Sequence, residues 1–184
     1  MLDCFAPRDQ GVREILEFPF IDGVKSWLLG ARFAVAIDEP IELEWDPKTK
    51  GARKSYYNVT IPLMTRRLLS ALQGSGVDNI DPYAVRIRDS ASGELDDGYV
   101  AINVLGAVAA ADLMLSRYED PSGLGRADLD FDSVVLAPEQ ARGLLLFRLA
   151  ECVTALVVHV SVREALEAAG GFGLAFIPPE EWIG

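Results

Sequence analysis

Three aspartates at alternate positions, Asp128, Asp130 and Asp132, followed by Glu139, have the spacing of a calcium-binding loop. In such a loop oxygen ligands fall at the first, third, fifth and twelfth positions, and carboxylates suit a hard cation. Two features count against that chemistry. The sixth position is Ser133 where the sharp turn wants glycine, and Pro121, Gly123 and Gly125 break any entering helix. A strand accounts for the same residues, with Leu129 and Phe131 inward and the aspartates outward as a solvated acidic stripe. The only histidine, His159, lies in the β-branched run Leu156–Ser161. A catalytic base needs a nucleophile and an orienting group, and no Gly-x-Ser-x-Gly or comparable motif supplies one. His159 therefore reads as structural. Cys4 and Cys152 stand far apart, with neither a disulfide framework nor a metal spacing. One histidine and two isolated cysteines are too few for a transition-metal site. No catalytic residue, metal ligand or cofactor is assigned.

The remaining chemistry is charge. The 184 residues carry 28 Asp and Glu against 17 Lys and Arg, a formal net charge of -11. That excess argues against nucleic-acid and anionic-membrane binding, which need clustered cations. A basic protein is the natural complement, while plain solubility explains the acidity equally well. The acids are clustered. Asp38, Glu39, Glu42, Glu44 and Asp46 form one group; Glu94, Asp96 and Asp97 another; Asp128, Asp130 and Asp132 a third. Like charges crowded on strand faces repel unless solvent or a partner offsets them. Glu42, Glu44, Glu94, Asp96, Asp97, Asp128, Asp130 and Asp132 are accordingly the candidate partner-binding residues.

These groups hang on elements legible in the chain. Val12–Phe18 reads as a short strand or helical turn, Asp22–Gly30 as a short helix with Asp22 as cap, and Phe33–Ile37 as a strand. Ile41–Trp45 alternates, with Ile41, Leu43 and Trp45 on the core face. Residues 46–54 form a basic loop. Thr60 and Pro62 signal a helix to about Gln73, carrying Leu63, Leu68, Leu69 and Leu72 on one stripe. Tyr83–Leu105 reads as a long hairpin: its first arm alternates, its acidic tip is rich in turn formers, and its second arm is apolar on nearly every residue, as in a strand covered on both faces. Gly106–Ser116 is alanine-rich and reads as helix, and Arg117–Ala127 as loop. Asp128–Leu136, Leu144–Glu151 and Val153–Val160 read as strands. Ser161 with Glu164 forms a capping box for a helix ending at Gly170, and Phe172–Ile177 is a last strand. The order favours an α+β fold, mostly antiparallel sheet with a central hairpin and two or three packed helices. Residues 1–54 supply N-terminal strands and a loop of the same domain as the α+β unit over 55–184. No run reaches the length of a membrane span and the first residues do not read as a signal peptide, so the expected location is the cytoplasm.

Five stretches, in this order and spacing, carry a family resemblance: Ile61–Ile80, Gly98–Val104, Phe131–Leu136, Leu146–Leu149 and Val162–Pro178. Together they resemble immunity-protein family eleven of bacterial polymorphic toxin systems, over roughly residues 55 to 180. The resemblance implies a cytoplasmic antitoxin with no catalytic residues of its own. It would bind and neutralise a cognate toxin delivered by contact-dependent or type VI secretion, and an acidic surface suits a basic toxin such as a nuclease. Tyr99, Asn103, Phe147 and Arg148 match the family pattern and read as fold residues, the buried polar ones satisfying nearby backbone. The alternatives are an acidic adaptor or a calcium-dependent binding module for another basic protein. No nucleic-acid or membrane partner is expected, and the oligomeric state is left open.

Overall fold

The computed structural model describes residues 1–7, 13–124 and 127–184; Val12 and Gly125, named in the sequence reading, lie outside them. In chain order the strands are β1 (Leu2–Pro7), β2 (Ile41–Trp45), β3 (Tyr56–Tyr57) and β4 (Leu63–Thr65), and helix α1 (Arg66–Gly74) follows. Next come β5 (Ile80–Asp89), β6 (Leu95–Asp96), β7 (Tyr99–Val104), β8 (Ala107–Val108), β9 (Arg117–Glu119) and β10 (Asp130–Ser133). The chain ends with β11 (Leu146–Leu149), β12 (Leu156–His159), α2 (Val160–Ala168), β13 (Leu174–Ile177) and a 3-10 turn at Pro179–Glu181. The α+β class holds: the described residues form two sheets and two α-helices, with a separate ribbon of β9 and β10.

One sheet runs β13-β1-β12-β11-β8; the other runs β2-β5-β7-β4-β3, with β6 also on β5. Pairing among the described strands is antiparallel except for β2 on β5 and β8 on β11. Three apolar clusters separate the layers. The first lies between the sheets and the two helices, and takes Leu68, Leu69 and Leu72 from α1, Val162 and Leu166 from α2, and Val100, Ile102 and Val104 from β7. The second lies between the other face of the first sheet and the ribbon, joining Phe147, Leu149 and Val157 to Leu129 and Phe131. The third covers the far face of the second sheet with Trp45, Tyr99, Ala101 and Trp27. Strand β7 is buried at all six residues because apolar layers cover both its faces, and its continuous apolar run is the sequence form of that placement. Each fully buried large side chain contributes roughly 1.5–3 kcal/mol.

Several expected elements differ. Asp22–Gly30 is not helical: Gly23 and Gly30 take φ of +77° and +70°, and the stretch is pinned by tertiary contacts instead. Trp27 buries edge-on against Phe33 and Tyr83, and Gly30 accepts from the Gly106 amide at 2.8 Å. So short a segment with two left-handed glycines cannot outweigh helix nucleation. Phe33–Ile37 forms no strand, since Phe33 and Ile37 pack against the third cluster individually. Helix α1 begins at Arg66, with Thr65 as cap and not Thr60, because Leu63–Thr65 pairs with β7 first. Gly106–Ser116 is not helical either: Ala107 and Val108 pair with β11, and Ala111 bridges Leu136. Arg117–Glu119, expected as loop, is β9. Leu2–Pro7, unassigned from sequence, is a strand of the first sheet between β12 and β13. Among the described residues no helix is long and apolar enough to cross a membrane.

Candidate partner-binding surface

The candidate acids fall into two places. Asp128, Asp130 and Asp132 project from β10 and the residues just before it, all exposed, while Leu129 and Phe131 between them are buried. Asp130 pairs in register with Glu119 of β9, so two carboxylates stand directly opposite, and a bulge sets Asp132 out of register. Ser122 donates to Asp128 at 2.9 Å. Among the described residues none of the three aspartates makes an ion pair. Side chains on alternate strand residues stand about 7 Å apart, so the three cannot converge on one ion at coordination distance. Among the described residues no group of three or more His, Cys, Asp or Glu side chains could hold a metal ion.

The other five acids do not form a bare acidic face. Parallel pairing sets Glu42 beside Arg86 and Glu44 beside Arg88 on the outer faces of β2 and β5. Glu42 meets Arg86 at 3.3 Å, and the same guanidinium reaches Asp97 at 3.3 Å. Asp96, on β6, accepts from Arg53 at 2.8 Å. Glu94 is exposed near the tip. The face is thus a lattice of alternating charge beside a groove of about 530 Å3 lined by Glu17, Phe18, Glu44, Arg88 and Leu95.

Aromatic packing explains the tip's order. Trp45 is fully buried and lies 5.8 Å from Tyr99 and 5.9 Å from Tyr57, ring centroid to centroid. Arg53 and Arg13 stack on its ring at 5.3 and 5.7 Å. Those stacked arginines are the ones that hold Asp96 and, at 2.7 Å, Asp89. Burial pushes the Asp89 carboxyl up, but the Ala91 amide and the Arg13 guanidinium outweigh it, and the net shift is downward. Tyr99 closes the cluster by donating to the Lys54 carbonyl at 2.8 Å.

The residues matching the family pattern are interior. Asn103 donates to the Ala31 carbonyl at 2.8 Å and ties the irregular N-terminal stretch to β7. Arg148 is wholly buried; its Nη1 donates to the Val153 carbonyl at 2.8 Å, and the guanidinium stands within hydrogen-bonding reach of the Tyr56 hydroxyl. Tyr56 lies beside it, and burial raises the Tyr56 hydroxyl above its ordinary value against the opposing pull of Arg148. His159 caps α2: its Nδ1 accepts from the Ser161 amide at 3.2 Å and lies 2.8 Å from the Ser161 hydroxyl. The expected Ser161 cap is displaced by two residues, because an imidazole nitrogen does the capping. Cys4 and Cys152 meet in the second cluster, both unbridged. Burial, then Asp3 and Cys152, push the Cys4 thiol up to about 12, which leaves it unreactive.

One surface feature escaped the sequence reading. Phe18, Pro19, Phe20 and Ile21 form a ridge between three grooves, and Phe20 is 87 % exposed. The available signal was an apolar run without periodicity, bracketed by Glu17 and Asp22. A search of curated proteins finds no match. The family model that matches begins at residue 8, ahead of the stretches that carried the resemblance, and runs to residue 181. The chain belongs to the Immunity protein family (Imm11).

Proposed function

We propose that the protein neutralises a cognate toxin by stoichiometric binding, and that its acidic surface meets a basic toxin such as a nuclease in the cytoplasm. Membership of an immunity family points to toxin neutralisation. The observation that supports an acidic contact is the exposed row Asp128, Asp130 and Asp132 with Glu119 opposite, carboxylates that make no ion pair among the described residues. Unpaired like charges are costly alone and favourable against a positive patch, where they speed encounter and set orientation. Glu42, Glu44, Glu94, Asp96 and Asp97 act as a mixed-charge rim, since most already hold arginines and contribute little as free charge. Co-expression with the product of the neighbouring reading frame, scored for survival and co-purification, tests the reading. Replacing Asp128, Asp130 and Asp132 together by lysine is expected to slow association at low salt and flatten its salt dependence. An association rate that stays unchanged rejects the acidic contact, and absence of both protection and co-purification rejects the immunity role.

A further inference from the structure

Phe20 borders a groove of about 480 Å3 floored by Ile21, Ile37 and Ile41, and among the described residues the charged side chains that line it are carboxylates: Asp22, Asp38 and Glu42. Asp22 and Asp38 are exposed and make no ion pair among the described residues. Glu42 holds Arg86 only at 3.3 Å, with both side chains well exposed, a pairing readily exchanged for another cation. The segments that carry the walls are tied to the rest of the fold. Trp27 is buried in the third cluster, Gly23, next to Asp22, turns at φ +77° against Val35, and the Ala84 amide of β5 donates to the carboxylate of Glu39, between Asp38 and Pro40. A large exposed aromatic ring beside an apolar trough and an all-acidic rim matches one side chain in shape and charge together. Guanidinium stacks on aromatic faces, forks to carboxylates and carries an apolar stem.

We propose that this groove receives an arginine of the toxin, its stem along Ile21 and Ile37, its guanidinium against the Phe20 ring and between Asp22 and Asp38. The inference rests on the toxin-binding reading and names an anchoring contact for it. The β10 aspartates act on association, and a desolvated aromatic–arginine contact acts on dissociation. Because Phe20 points into solvent, replacing it leaves the core untouched.

Dissociation of an inactivated toxin is measured for the wild-type chain, Phe20→Ser, and Asp22→Asn with Asp38→Asn. Each variant is expected to release toxin about tenfold faster at an unchanged melting temperature. Unchanged dissociation rates overturn the proposal. In a second arm, acetyl-Gly-Arg-Gly-amide at millimolar concentration is expected to shift the Phe20 ring resonances, the lysine peptide less and the citrulline peptide not at all. No shift with the arginine peptide overturns the groove assignment even where toxin binding holds, and a shift without toxin binding rejects the immunity reading while the groove stands. Light scattering that shows a dimer dissolved by Phe20→Ser assigns the groove to a second copy and overturns the toxin contact.

Discussion

Asp130→Asn is expected to stabilise the protein while weakening its association with a basic toxin. The magnitude follows from the register. Glu119 lies directly across the ribbon from Asp130, at about 5 Å between Cβ atoms, and Asp128 and Asp132 lie about 7 Å along the strand. With the dielectric constant of water and a Debye length of about 8 Å, the cross-strand repulsion is roughly 0.4 kcal/mol and each flanking one roughly 0.3 kcal/mol. Removing the central charge therefore recovers about 1 kcal/mol, which for a chain of this size raises the melting temperature by about 2–4 °C. The assay is thermal and urea unfolding of wild type and variant at low and molar salt. Screening at molar salt shrinks the Debye length to about 3 Å and should cut the difference to about 0.3 kcal/mol. A variant that melts below wild type, or a gain undiminished at molar salt, refutes the claim that the stripe is held under net repulsion. Stability gained where binding is lost is the expected signature of residues kept for a partner.

Further outcomes are expected elsewhere. His159→Ala removes the α2 cap and should cost about 1 kcal/mol in unfolding while leaving protection against the toxin intact; a folded variant that fails to protect contradicts pure binding. Arg148→Met keeps the stem and removes a buried guanidinium that makes no ion pair among the described residues, so urea unfolding should show a gain of about 1–3 kcal/mol, whereas Arg148→Ala should lose about 2–5 kcal/mol to a cavity. A methionine variant less stable than wild type contradicts that reading. Burial raises the Glu151 carboxyl above its ordinary value of 4.5, so its contribution is full below that value and declines as pH rises through the folded-state value. Glu151→Gln should lack this decline in stability measured against pH. Asp89 runs the other way: its carboxyl is lowered, so its contribution is present above the ordinary 3.8 and lost on acidification.

The legible parts of the sequence were those whose signal is local. Ile41, Leu43 and Trp45 alternate with Glu42 and Glu44, and the strand they announced is β2, with the three apolar residues buried. The continuous apolar run of β7 likewise announced burial on both faces. What failed was competition between local preference and pairing. Alanine-rich Gly106–Ser116 favours helix by propensity, but β11 offers Ala107 and Val108 a parallel partner and the backbone bonds go there. Leu63 fits a helical stripe, yet Tyr57 and Ala101 hold it in a sheet. The acidic clusters were visible as composition, but not the arginines that pair them. Arg86 meets Glu42 only through a parallel register between strands far apart in sequence, and Arg53 meets Asp96 across Trp45. The β10 aspartates are outward and exposed, and among the described residues none of them makes an ion pair.

The position of β1 joins distant parts of the chain. Leu2–Pro7 hydrogen-bonds with β12 on one side and β13 on the other, so the first sheet closes only when segments far apart in sequence meet. Until they do, the first sheet lacks its inner strand and the second apolar cluster lacks Cys4. Such distant pairing is slow to form, and a folding chain in that interval exposes Leu156, Val157 and Val158 without their β1 neighbour. Closure of that sheet is thus the step before which an incompletely folded copy offers an open β12 edge to another molecule.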